Sequence, residues 1–443
     1  MINLASDWKK TSRGQALQIL EEVFGDGAYS NIALNKQLTQ SHLSDKDKGL
    51  VTEIVYGTVA RKLTLEWHLA YFIEDRDRLE PWVYTLLLLS LYQMLYLDKV
   101  PNHAIVNDAV TIAKNRGNKK GVEKLVNAVL RRIEREGVRD FSTIKRINKR
   151  YSIQYSLPVW LVKKLIEQFG VERAEAIFKS LFVRNKASVR VAKVSDLECL
   201  AQATQSEKSI LSPVGLVKSS GHFAASQAFK NGQITIQDET SQLVAPTLEI
   251  EGWETMLDAC SAPGGKTVHM ASYLTSGHIT ALDLYDHKLA LVNENAQRMG
   301  VADKISTQKL DATQVHAHFP KEHFDKILVD APCSGIGLIR RKPDIKYNKD
   351  NQDFLSLQKI QLEILSSVCQ TLKKGGIITY STCTIFNEEN QDVIAKFLEQ
   401  HPDFEQVALK HPKSEIVVEG CLMITPEQFM TDGFFIAQLR KKL

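Results

Sequence analysis

The sequence predicts an all-α bundle at the N-terminus, a small α+β module, and a C-terminal α/β domain built on a doubly wound, mainly parallel sheet. Three features carry this expectation. Up to about residue 140, apolar residues recur at helical spacing with little Gly or Pro inside the periodic segments. Short β-like runs follow, around Ala187–Val194 and Ile210–Val217. From about Gly232 onward, apolar strands alternate with amphipathic helices, the signature of βαβ units. A chain of 443 residues has room for two to four such domains, each able to bury its own core.

The helical region can be read element by element. Ala16, Leu17, Ile19, Leu20, Val23 and Phe24 mark one apolar face, and Ile54, Val55 and Val59 another. The most apolar run, Val83 to Leu97, is interrupted by Ser90 and Gln93 and follows Pro81, which suits a first helical turn. It is too short for a bilayer and reads as a buried helix. Val122 to Glu134 forms a last amphipathic helix carrying Arg131, Arg132 and Arg135, where cations also suit the helix dipole. In the middle module, Ser156-Leu157-Pro158 opens a helix over Val159–Phe169.

Charge and cysteine usage narrow the function. Residues 101–150 hold 13 Lys or Arg against 5 Asp or Glu, although the whole chain is only +4. Such a concentration suits a polyanionic partner, while solvated helix faces are the competing explanation. The six cysteines (199, 260, 333, 369, 383, 421) include no CxxC pair, which argues against a disulfide scaffold and a structural zinc site. No metal and no membrane partner are expected. A reducing cytoplasm is the natural setting for such thiols, the stretch Met1–Arg13 lacks a long apolar signal-peptide core, and a monomer is expected.

In the third domain, strands are expected at 256–258, 279–284, 305–310, 326–330 and 377–381, with helices at 266–274, 287–299, 352–370 and 388–400. Ligands of such sheets collect at the carboxyl ends of strands. The first strand runs into Asp258-Ala259-Cys260-Ser261-Ala262-Pro263-Gly264-Gly265-Lys266-Thr267. Paired glycines let a ligand approach the backbone and the N–H groups of a helix start. The run matches neither a P-loop nor GxGxxG. Asp283, ending the second strand, suits ribose hydroxyls, and Asp311, after the third, an adenine amine. Each carboxylate alone is more readily a helix cap or a loop residue. Three strand ends in sequence order, each offering a fitting group, favour an adenosyl ligand. The fourth strand ends in Asp330-Ala331-Pro332-Cys333-Ser334-Gly335 and the fifth in Thr379-Tyr380-Ser381-Thr382-Cys383-Thr384. A lone strand cysteine is usually a small buried hydrophobe, but these two follow strands on the edge where ligands bind.

These residues resemble the bacterial ribosomal RNA cytosine-5 methyltransferases of the Sun/Fmu group, relatives of the eukaryotic NSUN-type enzymes. The matching runs are DACSAPGGKT (258–267), LDAT (310–313), DAPCSG (330–335), RRKPD (340–344) and YSTCT (380–384) with Glu389-Asn390. Gln237-Asp238-Glu239 with Ser241 also fits, and Thr384 stands where relatives often carry Ser. The helical region looks like the NusB-type RNA-binding fold of this branch. The resemblance implies a NusB-like all-α domain at 1–145, a small α+β RNA-binding or linker module at 146–231, and a Rossmann-like (class I) catalytic domain at 232–443.

The resemblance also implies roles. S-adenosyl-L-methionine would be held by Cys260, Ser261, Ala262, Pro263, Gly264, Gly265, Lys266, Asp283, Asp311 and Asp330. Cys383 would add to carbon 6 of the base, making carbon 5 nucleophilic enough to take a methyl group. Asp330 would meet the base at N3, and Cys333 would assist release. DNA cytosine-5 enzymes use the Pro-Cys cysteine as nucleophile, so Cys333 is the competing candidate. Arg340, Arg341, Lys342, Arg131 and Arg132 would bind RNA, with a solvated loop as the alternative for the first three. The target cytosine would be flipped or single-stranded. Small-subunit (16S) ribosomal RNA, naked or in an early assembly particle, is the expected substrate. Transfer RNA is the alternative within the class, and a non-catalytic RNA-binding factor outside it.

Overall fold

The structure is a computed structural model, and it describes residues 8–117, 121–219, 221 and 223–443. The first seven residues of the opening stretch Met1–Arg13 lie outside the described residues. The chain divides into two compact units. One comprises residues 1–178 with 342–348, and the other 179–341 with 349–443.

The first unit is helical: α1 (Ser12–Gly25), α2 (Ser30–Thr39), α3 (Asp45–Ala60), α4 (Lys62–Leu69), α5 (Pro81–Tyr96), α6 (Asn102–Arg116), α7 (Val122–Glu136), α8 (Ile147–Gln154) and α9 (Val159–Ser180). Helix α5 begins at Pro81 as the sequence predicts, and every residue from Trp82 to Gln93 is buried. Its apolar sides are covered by Leu17 and Leu20 of α1, Ile54 and Val55 of α3, and Val126, Leu130 and Ile133 of α7. Helix α9 runs past the expected Phe169, bending at Gly170, whose φ of 75° few other residues adopt. The short segment Lys342–Asn348 belongs to this unit, where Lys346 Nζ donates to the Ala60 carbonyl at 2.7 Å.

The second unit contains two sheets. The smaller is antiparallel, built from β1 (Ala187–Val191), β2 (Glu207–Lys208), β3 (Gly215–Lys218) and β4 (Ile234–Ile236) in the order β2-β3-β1-β4. The larger sheet carries the candidate site. Its parallel half consists of β5 (Thr255–Asp258), β6 (His278–Asp283), β7 (Ile305–Lys309), β8 (Phe324–Asp330) and β9 (Leu372–Thr382). These are the five expected strands, to within a few residues at each end. The order β7-β6-β5-β8-β9 reverses direction between β5 and β8, which opens a crevice at their carboxyl ends.

Beyond β9 the sheet becomes mixed. The strands β10 (Phe404–Val407), β11 (Val417–Val418), β12 (Cys421–Ile424) and β13 (Phe434–Lys441) are all antiparallel additions, with β13 paired to β9 and β12, and also to β10. Sequence reading finds none of the four. After β10 no α-helix separates successive strands as in a βαβ unit, and β13 is buried along most of its length rather than alternating.

Candidate active site

The turn after β5 is shaped by backbone bonds. Ser261 donates from both its N–H and its hydroxyl to the Leu282 carbonyl, at 2.8 and 2.9 Å, tying the turn to β6. Gly264 then takes φ +100°, and a Cβ there would sit 2.9 Å from the Val292 Cα. At Gly265 a Cβ would find only Gln237 Nε2, at 3.9 Å. One glycine is therefore required by helix packing, whereas the other leaves the start of the following helix (Gly265–Tyr273) uncovered.

Four carboxylates gather around Cys260. Burial and, in turn, Asp258, Asp330, Asp283 and Asp311 push its thiol well above the usual range. Asp258 is buried and accepts from the Thr267 hydroxyl at 2.7 Å, and burial pushes its carboxyl up to about 7. Asp283 and Asp311 end up where strand β6 and strand β7 release the chain. Asp311 also caps the next turn through Oδ1, accepting from the Thr313 N–H and hydroxyl at 2.9 and 2.8 Å. This donor set suits an adenosyl ligand bearing ribose hydroxyls, an amine and a cationic sulfonium.

Asp330 lies at the end of β8. Lys266 Nζ donates to its Oδ2 at 2.6 Å and Ser381 Oγ to its Oδ1 at 2.7 Å. Burial works against the charge on Lys266, but Asp330, its hydrogen bond and Cys383 outweigh burial and raise the ammonium above its ordinary value. Cys333 and Cys383 follow β8 and β9, neighbouring strands, and their sulfurs are 3.3 Å apart. The Cys333 thiol is held well above its ordinary value by the bond to Cys383, then by burial, by Cys383 charge and by Glu389.

Glu389 and Asn390 have no role in the sequence reading, although they end the matching run. Both are fully buried. Glu389 accepts from the Ser334 N–H at 2.7 Å and the Ser334 hydroxyl at 2.6 Å. Asn390 accepts from the Thr382 hydroxyl at 2.5 Å and donates to the Thr384 carbonyl at 3.2 Å. Buried side chains that convert two strand ends into fixed turns leave no hydrophobic period to detect. Their only signal is a polar pair ahead of the helix Gln391–Gln400.

The basic residues fall elsewhere. Arg340 is only 8% exposed and donates to the carbonyls of Pro426 and Thr431. Arg341 bridges two buried carboxylates, Asp432 at 2.8 Å and Asp238. Both guanidinium groups are thus occupied inside the second unit, which corrects the expectation of a free phosphate-binding pair. Lys342 belongs to the first unit. So do Arg131 and Arg132, half-exposed on α7 and paired with Glu134 and Glu136 at 2.8 and 3.1 Å. Among the described residues, no helix is long and apolar enough to cross a membrane, and no group of three or more His, Cys, Asp or Glu is arranged to hold a metal ion.

Comparison with known proteins agrees with this arrangement. The 16S rRNA methyltransferase RsmB/F family matches residues 245–440 and the NusB family residues 10–135. A probable ribosomal RNA small subunit methyltransferase B of Bacillus subtilis (strain 168) is 44% identical, covering 98% of this chain and 100% of its own. Among solved structures, PH0851 aligns over 100% of both chains at 25% identity with a TM-score of 0.82. NSun6 from Pyrococcus horikoshii with SFG shares the fold over 64% of this chain and 98% of its own, at 21% identity and a TM-score of 0.57. With near-complete coverage by such a relative, and both domain families matched in order, the chain belongs to the RsmB/F family of ribosomal RNA small subunit methyltransferases and carries a NusB-family domain at its N-terminus.

Proposed function

We propose that the protein methylates carbon 5 of a cytosine in small-subunit ribosomal RNA through a covalent bond between Cys383 and carbon 6. The observation that carries this reading is the 3.3 Å approach of the Cys333 and Cys383 sulfurs, with the Lys266–Asp330 pair joined to the same strand end through Ser381. S-adenosylmethionine supplies the methyl group. Asp283 would hold its ribose hydroxyls and Asp311 its adenine amine, while Cys260 to Lys266 form the turn beneath it.

The hydrogen bond to Cys383, then burial, then the charges of Cys383 and Glu389 hold Cys333 as a thiol. A thiol held protonated is the poorer nucleophile, which leaves Cys383 for the attack, as the family pattern has it. Its thiolate adds to carbon 6, and the proton that N3 takes up would come from the Lys266 ammonium, passed on by Asp330 to which it donates. Carbon 5 is then electron-rich and takes the methyl group.

Release uses the second thiol. The largest influence raising Cys333 is its bond to Cys383. Once Cys383 is bonded to carbon 6, its sulfur has no proton to share, and Cys333 is the thiol beside the adduct. Cys333 would assist loss of the carbon 5 proton, which returns the electron pair to the ring and expels Cys383 as a thiolate. The half-buried sulfurs require a base taken out of its stack.

The test is incubation with labelled S-adenosylmethionine and unmodified ribosomal RNA. Wild-type protein should label RNA, Cys383→Ala should not, and Cys333→Ala should hold RNA through denaturing electrophoresis. Full activity in Cys383→Ala, or no retained complex with Cys333→Ala, would overturn the assignment.

A further inference from the structure

The chemistry above needs the two sulfurs side by side, 3.3 Å apart, yet their turns leave separate strands and have no disulfide between them. The pairing of β8 with β9 ends at Asp330 opposite Ser381, so the ladder aligns the strands but stops short of both sulfurs. What continues the register is a group of buried polar side chains. Ser334, next to Cys333, is held at its N–H and its hydroxyl by the two oxygens of Glu389. Thr382 and Thr384, on either side of Cys383, are held by the two ends of the Asn390 amide. Ser334 Oγ also lies 3.0 Å from Thr384 Oγ1, and the Gly337 N–H donates to the Cys383 carbonyl at 3.0 Å.

The residue types match the task. A carboxylate offers two acceptors for the paired donors of one serine, and an amide offers one acceptor and one donor for two flanking threonines. The adjacency of the two is unusual as well. The helix expected from Glu388 starts at Gln391, because Asn390 leaves helical space (φ −120°, ψ −99°) and turns its amide toward the Cys383 strand. The Tyr380 hydroxyl donates to the Glu389 carbonyl at 2.7 Å, and Gln361 Nε2 donates to the Pro332 carbonyl at 2.9 Å, so the brace is itself fixed.

We propose that Glu389 and Asn390 are positioning residues that divide the two catalytic turns between them, Asn390 setting Cys383 for attack and Glu389 setting Cys333 for release. This rests on the roles of the cysteines given above. Loss of either brace displaces one sulfur, and a displacement of about 1 Å costs on the order of 100-fold in rate. The two losses therefore differ in kind. Without Asn390 the covalent complex forms slowly; without Glu389 it forms and persists.

The experiment uses full-length protein with Asn390→Ala, Asn390→Ser, Glu389→Ala and Glu389→Gln. Asn390→Ala in the Cys333→Ala background should form the denaturation-resistant RNA complex on the order of 100-fold more slowly. Glu389→Ala alone should accumulate that complex, with kcat reduced and KM for S-adenosylmethionine unchanged, and Glu389→Gln should recover part of the rate. Oxidation with diamide supplies a readout that ignores catalytic roles: either alanine variant should close the Cys333–Cys383 disulfide more slowly than wild type. If Asn390→Ala does not fold, Asn390→Ser, which keeps one hydrogen-bonding group, is read in its place. Variants that fold, methylate and close the disulfide at wild-type rates would overturn the brace. Slow disulfide closure with no retained complex in any variant would instead overturn the roles of the cysteines and leave the brace standing.

Discussion

Lys266 Nζ lies 2.6 Å from Asp330 Oδ2, and this contact joins the turn after β5 to the end of β8. Lys266→Met should leave Asp330 with Ser381 as its remaining donor and remove the ammonium that would feed a proton toward the base. Methyl transfer should fall by about 100-fold or more, in the range of lost acid–base assistance. Covalent capture by Cys333→Ala protein should slow in parallel when Lys266→Met is added. Single-turnover methylation and gel retention measure the two, and unchanged rates would remove Lys266 from the chemistry.

Asp258 predicts a pH dependence of stability. Burial lifts its carboxyl from the ordinary 3.8 to about 7 in the folded protein. The folded state thus binds this proton more tightly than the unfolded chain does. Stability associated with the group is complete below about pH 4, declines as pH rises, and is lost above about 7, with a slope of at most ~1.4 kcal/mol per pH unit. Asp258→Asn keeps an oxygen for the Thr267 hydroxyl and has nothing to titrate. Thermal unfolding between pH 5 and 8 should show wild type losing stability relative to Asp258→Asn as pH rises. Parallel curves would contradict a buried, protonated Asp258.

Much of this site was legible because strand ends speak through chemistry. Asp283, Asp330, Cys333 and Cys383 follow apolar runs that fix their strands, and Asp311 follows the more polar β7, so their convergence follows from a parallel sheet alone. Arg340 and Arg341 were misread for a physical reason. A run of cations looks solvated in sequence, and only the fold reveals that Asp238 and Asp432, distant along the chain, neutralise it. Glu389 and Asn390 stayed silent because their partners are hydroxyls and backbone groups, which carry no pattern. The strands β11 to β13 escaped for want of intervening helices.

The buried carboxylates give Arg341 a structural consequence. Asp238 is held below its ordinary range because Arg341, Thr431 and Thr240 outweigh burial, while burial and Asp238 push Asp432 up to about 7. Arg341→Ala would leave two buried acids without their shared cation, a loss of ~3–5 kcal/mol. Arg341→Lys should recover little, since one ammonium cannot reproduce a fork that serves two acids. Chemical denaturation measures this. RNA affinity in folded Arg341→Gln, which removes the charge, should keep its salt dependence, whereas a phosphate-binding role would show as a slope lowered by ~0.7 per phosphate.

The first unit offers the contrasting case on α7. Val126, Val129, Leu130 and Ile133 are buried, so Arg131 and Arg132 stand on the outward side of the same helix. The Arg132 guanidinium lies 5.5 Å from the ring of Tyr71, a residue that is 52% exposed. A cation beside an open aromatic face suits an unpaired base with its phosphate. The acids on this helix, Glu134 and Glu136, hold both arginines in place at the surface, where screening keeps such pairs weak. Reversing both charges (Arg131→Glu with Arg132→Glu) should therefore leave the unfolding temperature nearly unchanged and weaken RNA binding. The log–log slope of affinity against salt should drop by ~0.7 for each phosphate that the arginines no longer neutralise. Single-turnover methylation at saturating RNA should stay at the wild-type rate, because neither arginine touches the reacting base in this reading. Unchanged affinity at low salt would remove α7 from the RNA-binding surface, and a lowered rate at saturation would give it a part in the chemistry instead.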